Sequence, residues 1–177
     1  MNDLKTWINC FHPDWLPDKP TPEELSAIIS KLKTTRPYSK IIVANGCFDM
    51  LHPGHISLLK NSKKLGGYLS SLVVGINSDK AIKDLKGENR PIIDEEARLF
   101  SIKQLSCVSF AFIFDSTDFS PYLNAIGKCI FAKGPYYERI ARKEFDVLKK
   151  NGGSWIRVPL DFKVSTTSII EKIKNES

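Results

Sequence analysis

Short apolar runs alternate with amphipathic stretches along most of the chain. Ile41, Ile42, Val43 and Ala44 are too few for a helix and end at Asn45 and Gly46, so they read as a buried strand. Leu72, Val73, Val74, Gly75 and Ile76, within 68–77, predict a second strand, and 108–114 a third. Shorter apolar runs at 129–132 and 155–159 complete the set. Between them the spacing predicts helices over 53–65, 79–85, 94–105, 121–126, 137–149 and 166–174. In the helix over 94–105, Ala97, Phe100, Ile102 and Leu105 are expected to face inward. Thr21-Pro22-Glu23-Glu24 is a capping box with proline at the first helical position, and Leu25, Ile28, Ile29 and Leu32 then repeat along one face. Strands separated by helices imply parallel pairing through right-handed crossovers. In such an open α/β sheet a ligand lies at the carboxyl ends of the strands, where the winding order reverses. His52, Lys133 and Ser165 all follow predicted strands and are expected to meet there.

Length adds that one core suffices: 177 residues at 42% hydrophobic content predict a single domain over 21–177. Residues 1–20 have another character. Trp7, Ile8, Phe11, Trp15 and Leu16 stand among Pro13, Pro17 and Pro20 without a regular period, an extension expected to cover core surface or to contact a second subunit in a homo-oligomer. Cys10, Cys47, Cys107 and Cys129 lack a disulfide-framework spacing, and no signal peptide opens the chain, so a reducing cytoplasm is expected. No apolar run approaches the roughly 20 residues that cross a bilayer, which argues against a membrane partner. The net charge is +6, but the cations are interleaved with 20 acidic residues and form no basic tail. A phosphate-rich small molecule accounts for that surplus without nucleic acid.

The candidate chemistry is concentrated at 46–55, Gly-Cys-Phe-Asp-Met-Leu-His-Pro-Gly-His. Pro53 suits the first position of a helix that opens just beyond a strand. The free amides and positive dipole end of that helix favour an anion. His52 and His55, three residues apart, share a helix face and reach the same bound group, for which a nucleotide's α-phosphate is the candidate. Zinc would need three or four ligands, and no Cys-x-x-Cys or distant histidine completes a set, so no protein metal ligand is assigned.

This Gly-x-Phe-Asp-x-x-His-x-Gly-His stretch resembles the HxGH signature of the cytidylyltransferase-like nucleotidyltransferases. The resemblance continues in order through Leu85-Lys86-Gly87-Glu88-Asn89-Arg90-Pro91, Glu96-Ala97-Arg98, Ala132-Lys133-Gly134, Gly152-Gly153 and Ser165-Thr166-Thr167-Ser168-Ile169-Ile170-Glu171. Among the family's branches, the D-glycero-D-manno-heptose 1-phosphate adenylyltransferases are the most similar. The resemblance implies a Rossmann-like open parallel sheet with helices on both faces. It implies catalytic roles for His52, His55 and Lys86, and nucleotide binding by Asn45, Gly46, Cys47, Phe48, Gly54, His55, Lys133, Gly134, Ser165, Thr166 and Thr167. Asp49, Arg90 and Arg98 would bind the acceptor substrate, with Lys86 and Arg90 on a mobile loop that holds phosphate. Magnesium would arrive with the nucleoside triphosphate.

Two positions depart from the pattern. Ile170 stands where the wider superfamily has a basic residue, as in the heptose-phosphate branch, and Tyr136 stands where relatives commonly carry an acid after Lys-Gly-x. The expected function is a stand-alone adenylyltransferase, without an attached sugar kinase domain, that makes ADP-heptose and pyrophosphate from ATP and heptose 1-phosphate. The alternatives are a cytidylyltransferase using CTP and glycerol 3-phosphate or a similar small phosphate, and a non-catalytic nucleotide-binding or scaffold protein.

Overall fold

The computed structural model describes residues 16–36, 39–135, 137 and 140–176. Trp7, Ile8, Phe11 and Trp15 of the N-terminal segment, and Tyr136 of the departing motif, lie outside the described residues.

Thr21 caps α1 (Pro22–Thr35): its hydroxyl accepts from the Glu24 amide at 3.2 Å, and the Glu24 carboxylate accepts from the Thr21 amide at 2.8 Å. The predicted face, Leu25, Ile28, Ile29 and Leu32, is buried. There follow β1 (Ile41–Gly46), α2 (Pro53–Leu65), β2 (Ser71–Asn77), α3 (Asp79–Lys86), α4 (Glu95–Lys103), β3 (Phe110–Phe114), α5 (Ser120–Ile126), β4 (Ile130–Lys133), α6 (Arg142–Lys150), β5 (Ser154–Arg157) and α7 (Thr166–Glu176).

The strands form one parallel sheet in the order β3-β2-β1-β4-β5. The chain winds outward from β1 to β3 and returns to place β4 on the other side of β1, with Ala44 opposite Ala132. The reversal therefore falls between the carboxyl ends of β1 and β4, where a parallel α/β sheet holds its ligand. Alternation along each strand supplies two apolar layers. Val43, Val73, Phe112 and Phe131 pack with Leu32 of α1, Leu123 of α5 and Leu148 of α6. Ile42, Val74, Ile113 and Ala132 pack with Leu59 of α2 and Ile102 of α4. Both faces of the sheet are thus covered by helices, as the near-continuous apolar strands require.

Two expectations need correction. The helix α4 buries Arg98, Leu99 and Ile102, and leaves Phe100 67% exposed. The rotation follows from the Arg98 guanidinium, which turns inward to three partners and carries the helix face with it. The helix α6 begins at Arg142, five residues later than its apolar pattern suggests, because the Glu144 carboxylate accepts from the Ala141 amide at 3.3 Å and starts the first turn there.

The described end of the N-terminal segment lies on the domain. Leu16 enters the core beside α1, and the Asp18 carbonyl accepts from the Ile113 amide at 2.7 Å, on the outer strand β3. Asp18 also pairs with Lys103, and Lys19 with Glu95. No helix among the described residues is long and apolar enough to cross a membrane.

Candidate active site

The turn from β1 to α2 is held in an uncommon backbone shape. Phe48 has φ of 50° and Met50 of 51°, a left-handed region that side-chain-bearing residues rarely occupy. Such conformations persist only where the surroundings over-determine them. Here Asp49, between the two, supplies the constraint. Its carboxylate is 1% exposed and accepts from the Ile92 amide (3.0 Å to Oδ2), the Ile93 amide (3.0 Å to Oδ1) and Arg90 Nε (2.8 Å to Oδ2). Burial alone would raise the Asp49 pKa, but these two amides and the guanidinium hold it below the usual carboxylate range. The Asp49 carbonyl accepts from the Thr166 hydroxyl at 2.6 Å, which ties the start of α7 to the same turn.

His52 caps α2. Its Nδ1 accepts from the Gly54 amide at 3.1 Å, so the ring proton of the neutral imidazole sits on Nε2, leaving that nitrogen a donor. His52 is 7% exposed, and burial lowers its pKa. The His55 ring stacks on it, centroids 3.8 Å apart and planes 21° from parallel, while Phe48 meets His55 edge-on at 5.3 Å. Burial first, then His52 and the Lys86 charge, push the His55 pKa down to about 3. Its Nδ1 is buried and has no hydrogen-bond partner among the described residues. The pair is therefore two neutral imidazoles beside the amino end of a helix, poised to donate to or accept from a bound group rather than to form a permanent dication.

Gly54 permits this arrangement. A β-carbon there would sit 2.8 Å from the Val164 carbonyl oxygen and 3.0 Å from two His52 ring atoms. The segment leading into α7 thus closes directly on the start of α2. Ser165 and Ser168 exchange hydrogen bonds at the start of α7, Thr166 is buried and Thr167 is exposed, so only part of the Ser-Thr-Thr run faces solvent.

The sequence-predicted residues gather around this turn, but several have their polar groups occupied by the protein. Arg98, expected to bind acceptor, is 1% exposed and donates to the Cys47 carbonyl at 2.5 Å, the Ile93 carbonyl at 2.9 Å and Asp79 at 2.7 Å. Asp49 and Arg90, likewise expected to bind acceptor, are committed to each other. The guanidinium thereby joins a clamp, and Arg90 is not a free cation on an open loop. Lys86, by contrast, is exposed at the carboxyl end of α3 and its charge reaches His55. Lys133 is 6% exposed, donates to Asn45 at 2.7 Å and lies 3.8 Å from Glu144. Gly46 and Cys47 belong to the same turn, and the Cys47 thiol lies 4.0 Å from Asn77 Oδ1. Nothing among the described residues comes within 4 Å of a β-carbon built on Gly134, leaving its backbone open to a ligand.

Sequence reasoning missed Asp79, Glu95 and Glu144. The Glu95 carboxylate accepts from the Asp79 amide at 2.7 Å and pairs with Lys19, completing a chain of contacts from the N-terminal segment through Asp79 and Arg98 to Cys47. A signal existed for Asp79, which directly follows a strand end beside the expected site. Glu144 offered none once its helix was started too early. Among the described residues no group of three or more His, Cys, Asp or Glu side chains gathers to hold a metal ion.

Comparison with known proteins places this geometry in a family. The cytidylyltransferase-like family model matches residues 43–172. The bifunctional protein HldE of Desulfatibacillum aliphaticivorans is 35% identical over 153 residues, covering 86% of this chain and 30% of that protein. HldE of Geotalea uraniireducens is 36% identical over 172 residues, covering 96% of this chain and 34% of that one. The chain spans about a third of the length of these relatives. A solved lipopolysaccharide core biosynthesis protein from Thermoplasma volcanium aligns with a TM-score of 0.57 at 30% identity, over 71% of this chain and 98% of that chain. Together with the paired histidines at the reversal point of the sheet, these matches identify the chain as a member of the cytidylyltransferase-like family and a nucleotidyltransferase.

Proposed function

We propose that the protein transfers AMP from ATP to a sugar 1-phosphate, D-glycero-D-manno-heptose 1-phosphate, giving ADP-heptose and pyrophosphate. The observation that carries the reaction is the stacked His52–His55 pair at the amino end of α2, at the reversal point of the sheet. The sugar rests on the likeness to heptose-phosphate adenylyltransferases and on the bifunctional HldE relatives.

A sugar-phosphate oxygen attacks the α-phosphorus of ATP in line. A new P–O bond forms as the bond to the β-phosphate oxygen breaks, and the electron pair leaves with pyrophosphate. Neither bond change needs a covalent intermediate, so the protein contributes position and charge stabilisation. Negative charge grows on the α-phosphate's equatorial oxygens, and each donor aimed there is worth about 3 kcal/mol in the transition state, roughly a hundredfold in rate. The Nε2 proton of His52 is such a donor, His55 is its partner, and Lys86 brings an exposed cation at the end of α3 to the leaving phosphates. The Asp49–Arg90 and Arg98–Cys47 clamps hold the turn from which both histidines project. Gly134 gives the nucleotide open backbone to lie against. Ser165, Thr166 and Thr167 begin a helix whose free amides suit the β- and γ-phosphates.

The donors left open around the turn are nitrogen and hydroxyl, suited to phosphate oxygens rather than to a hard cation, so magnesium belongs on the triphosphate as part of the substrate. It supplies further neutralisation of the leaving group. The scattered spacing of Cys10, Cys47, Cys107 and Cys129 is the basis for a reducing, cytoplasmic setting in this reading. We assign residues 21–177 as a single domain preceded by an aromatic, proline-rich extension over 1–20, and neither nucleic acid nor membrane enters the reaction.

Pyrophosphate release, measured with magnesium for ATP and CTP each against heptose 1-phosphate and glycerol 3-phosphate, tests the assignment. Release with ATP and the heptose phosphate alone is expected. Release with CTP and glycerol phosphate would move the chain to the other branch of the family, and silence in every pairing would refute this acceptor.

A further inference from the structure

Lys133 ends β4 and Asn45 lies near the end of β1, side by side at the strand reversal. A lysine at that place, followed by glycine, invites assignment as a phosphate ligand. Its surroundings say otherwise. The ammonium donates to Asn45 Oδ1 at 2.7 Å, lies 3.8 Å from a Glu144 carboxylate oxygen, and sits 4.4 Å and 4.9 Å from the ring centroids of Phe131 and Tyr137. With 6% exposure and a carboxylate already balancing its charge, it is enclosed on the protein side. Reaching a phosphate would abandon Glu144 in a buried position, a costly exchange.

We propose that Lys133 is a positioning residue that fixes the Asn45 side-chain amide so that its Nδ2 group donates to an acceptor oxygen of the bound nucleotide. An ammonium offers three N–H donors and no acceptor, so only the amide oxygen can face it. That settles which way Asn45 points. The two N–H bonds of Nδ2 are then turned away from Lys133, and Nδ2 makes no hydrogen bond within the described residues. Asn45 is half-buried and opens the same turn that carries Cys47, Asp49 and His52. Left alone, a side-chain amide rotates by half a turn to present either atom; anchored by Lys133, it presents donors only. Glu144 acts one step further out by holding the ammonium in place.

This inference rests on the proposed nucleotide chemistry, but binding and turnover test the two separately. Calorimetric titration with ATP and CTP reads the inference, and pyrophosphate release reads the reaction. Asn45→Asp keeps size and pairs with Lys133, yet replaces the donating group by an acceptor oxygen. Its nucleotide Kd should rise by about tenfold or more, the range for a hydrogen bond to a charged group, with melting temperature maintained. Lys133→Met should weaken binding by about tenfold in the wild-type background but less than about twofold beside Asn45→Ala, because its effect passes through the amide. Lys133→Met/Glu144→Gln repeats that comparison without leaving a buried carboxylate unpaired. Equal losses from removing Lys133 in both backgrounds would make it a direct ligand and overturn the proposal, as would an unchanged Kd for Asn45→Asp. Pyrophosphate and adenosine, titrated against Asn45→Asp, distinguish a phosphate oxygen from a ribose oxygen as the acceptor by which of them loses affinity. A wild type that binds ATP without turnover would refute the reaction alone.

Discussion

Replacing Gly54 by alanine separates two physical effects of opposite sign. Gly54 is the second residue of α2, and helix propensity alone predicts that alanine stabilises it by up to about 1 kcal/mol. The packing predicts the reverse. The added β-carbon falls 2.8 Å from the Val164 carbonyl oxygen and 3.0 Å from His52 Cε1 and Nδ1. Restoring ordinary contact needs a shift of about 0.5 Å, and overpacking of this kind costs about 1–3 kcal/mol. Val164 is backbone leading into α7, anchored by the Thr166 bond to Asp49, so it yields little. The net expectation is a loss of about 0–2 kcal/mol and a melting temperature lower by a few degrees. Activity should suffer more than stability. The Gly54 amide is the donor that orients His52, so whichever side moves, the imidazole leaves the orientation on which its proposed catalytic role depends. A misplacement of about 1 Å costs roughly a hundredfold, so about 0.5 Å should lower kcat by roughly tenfold.

The comparison is Gly134→Ala, where the new methyl meets nothing among the described residues within 4 Å and the melting temperature should hold. Thermal denaturation and pyrophosphate release on both variants, at one protein concentration, decide the matter. A Gly54→Ala protein that melts higher and turns over at the wild-type rate would show that α2 does not close on Val164 as described.

Four further outcomes follow from the same geometry. His52→Ala and His55→Ala should each lower turnover by roughly a hundredfold with the far-ultraviolet spectrum unchanged, and wild-type rates from both would remove the proposed centre. In an NMR titration the His55 ring should remain neutral from pH 8 to pH 5 and gain its proton only near about 3, so a midpoint at the ordinary value of 6.5 would contradict its enclosure. Because the unfolded chain binds that proton at higher pH than the folded one, the contribution of His55 to stability is complete above about pH 6.5 and is lost as pH falls toward about 3, which urea unfolding of His55→Gln against wild type measures. Arg98→Met should cost about 2–6 kcal/mol by urea unfolding, because it leaves the Cys47 and Ile93 carbonyls without their donor, whereas a loss below about 1 kcal/mol would show these contacts to be incidental.

What the chain discloses in advance, and what it conceals, divides along physical lines. The strands were legible because a sheet covered on both faces demands runs such as Ile41-Ile42-Val43-Ala44, and the limits of α2 because Pro53 and His52 mark a helix start by local chemistry alone. The histidine pair was legible for the same reason: two residues spaced three apart share a helix face without any knowledge of the rest of the fold. The charged residues were not. Asp49, Arg90, Arg98 and Lys133 were each expected at the site, but whether a charge faces substrate or faces protein depends on partners 41, 51 and 88 positions away in the chain. Periodicity has no access to that distance. It accordingly put Phe100 inside and Arg98 outside, when the buried hydrogen bonds of one guanidinium outweighed the transfer free energy of one ring. The consequence for function is that the cations split into two groups. Arg90, Arg98 and Lys133 are neutralised inside the protein and hold the turn and its amide in shape, while Lys86 stays exposed at a helix end within reach of His55. A site built this way presents mainly neutral donors from a stiff frame and keeps its free charge at the periphery. That arrangement suits a reaction whose substrates arrive carrying several negative charges with their own cation and whose transition state adds little more.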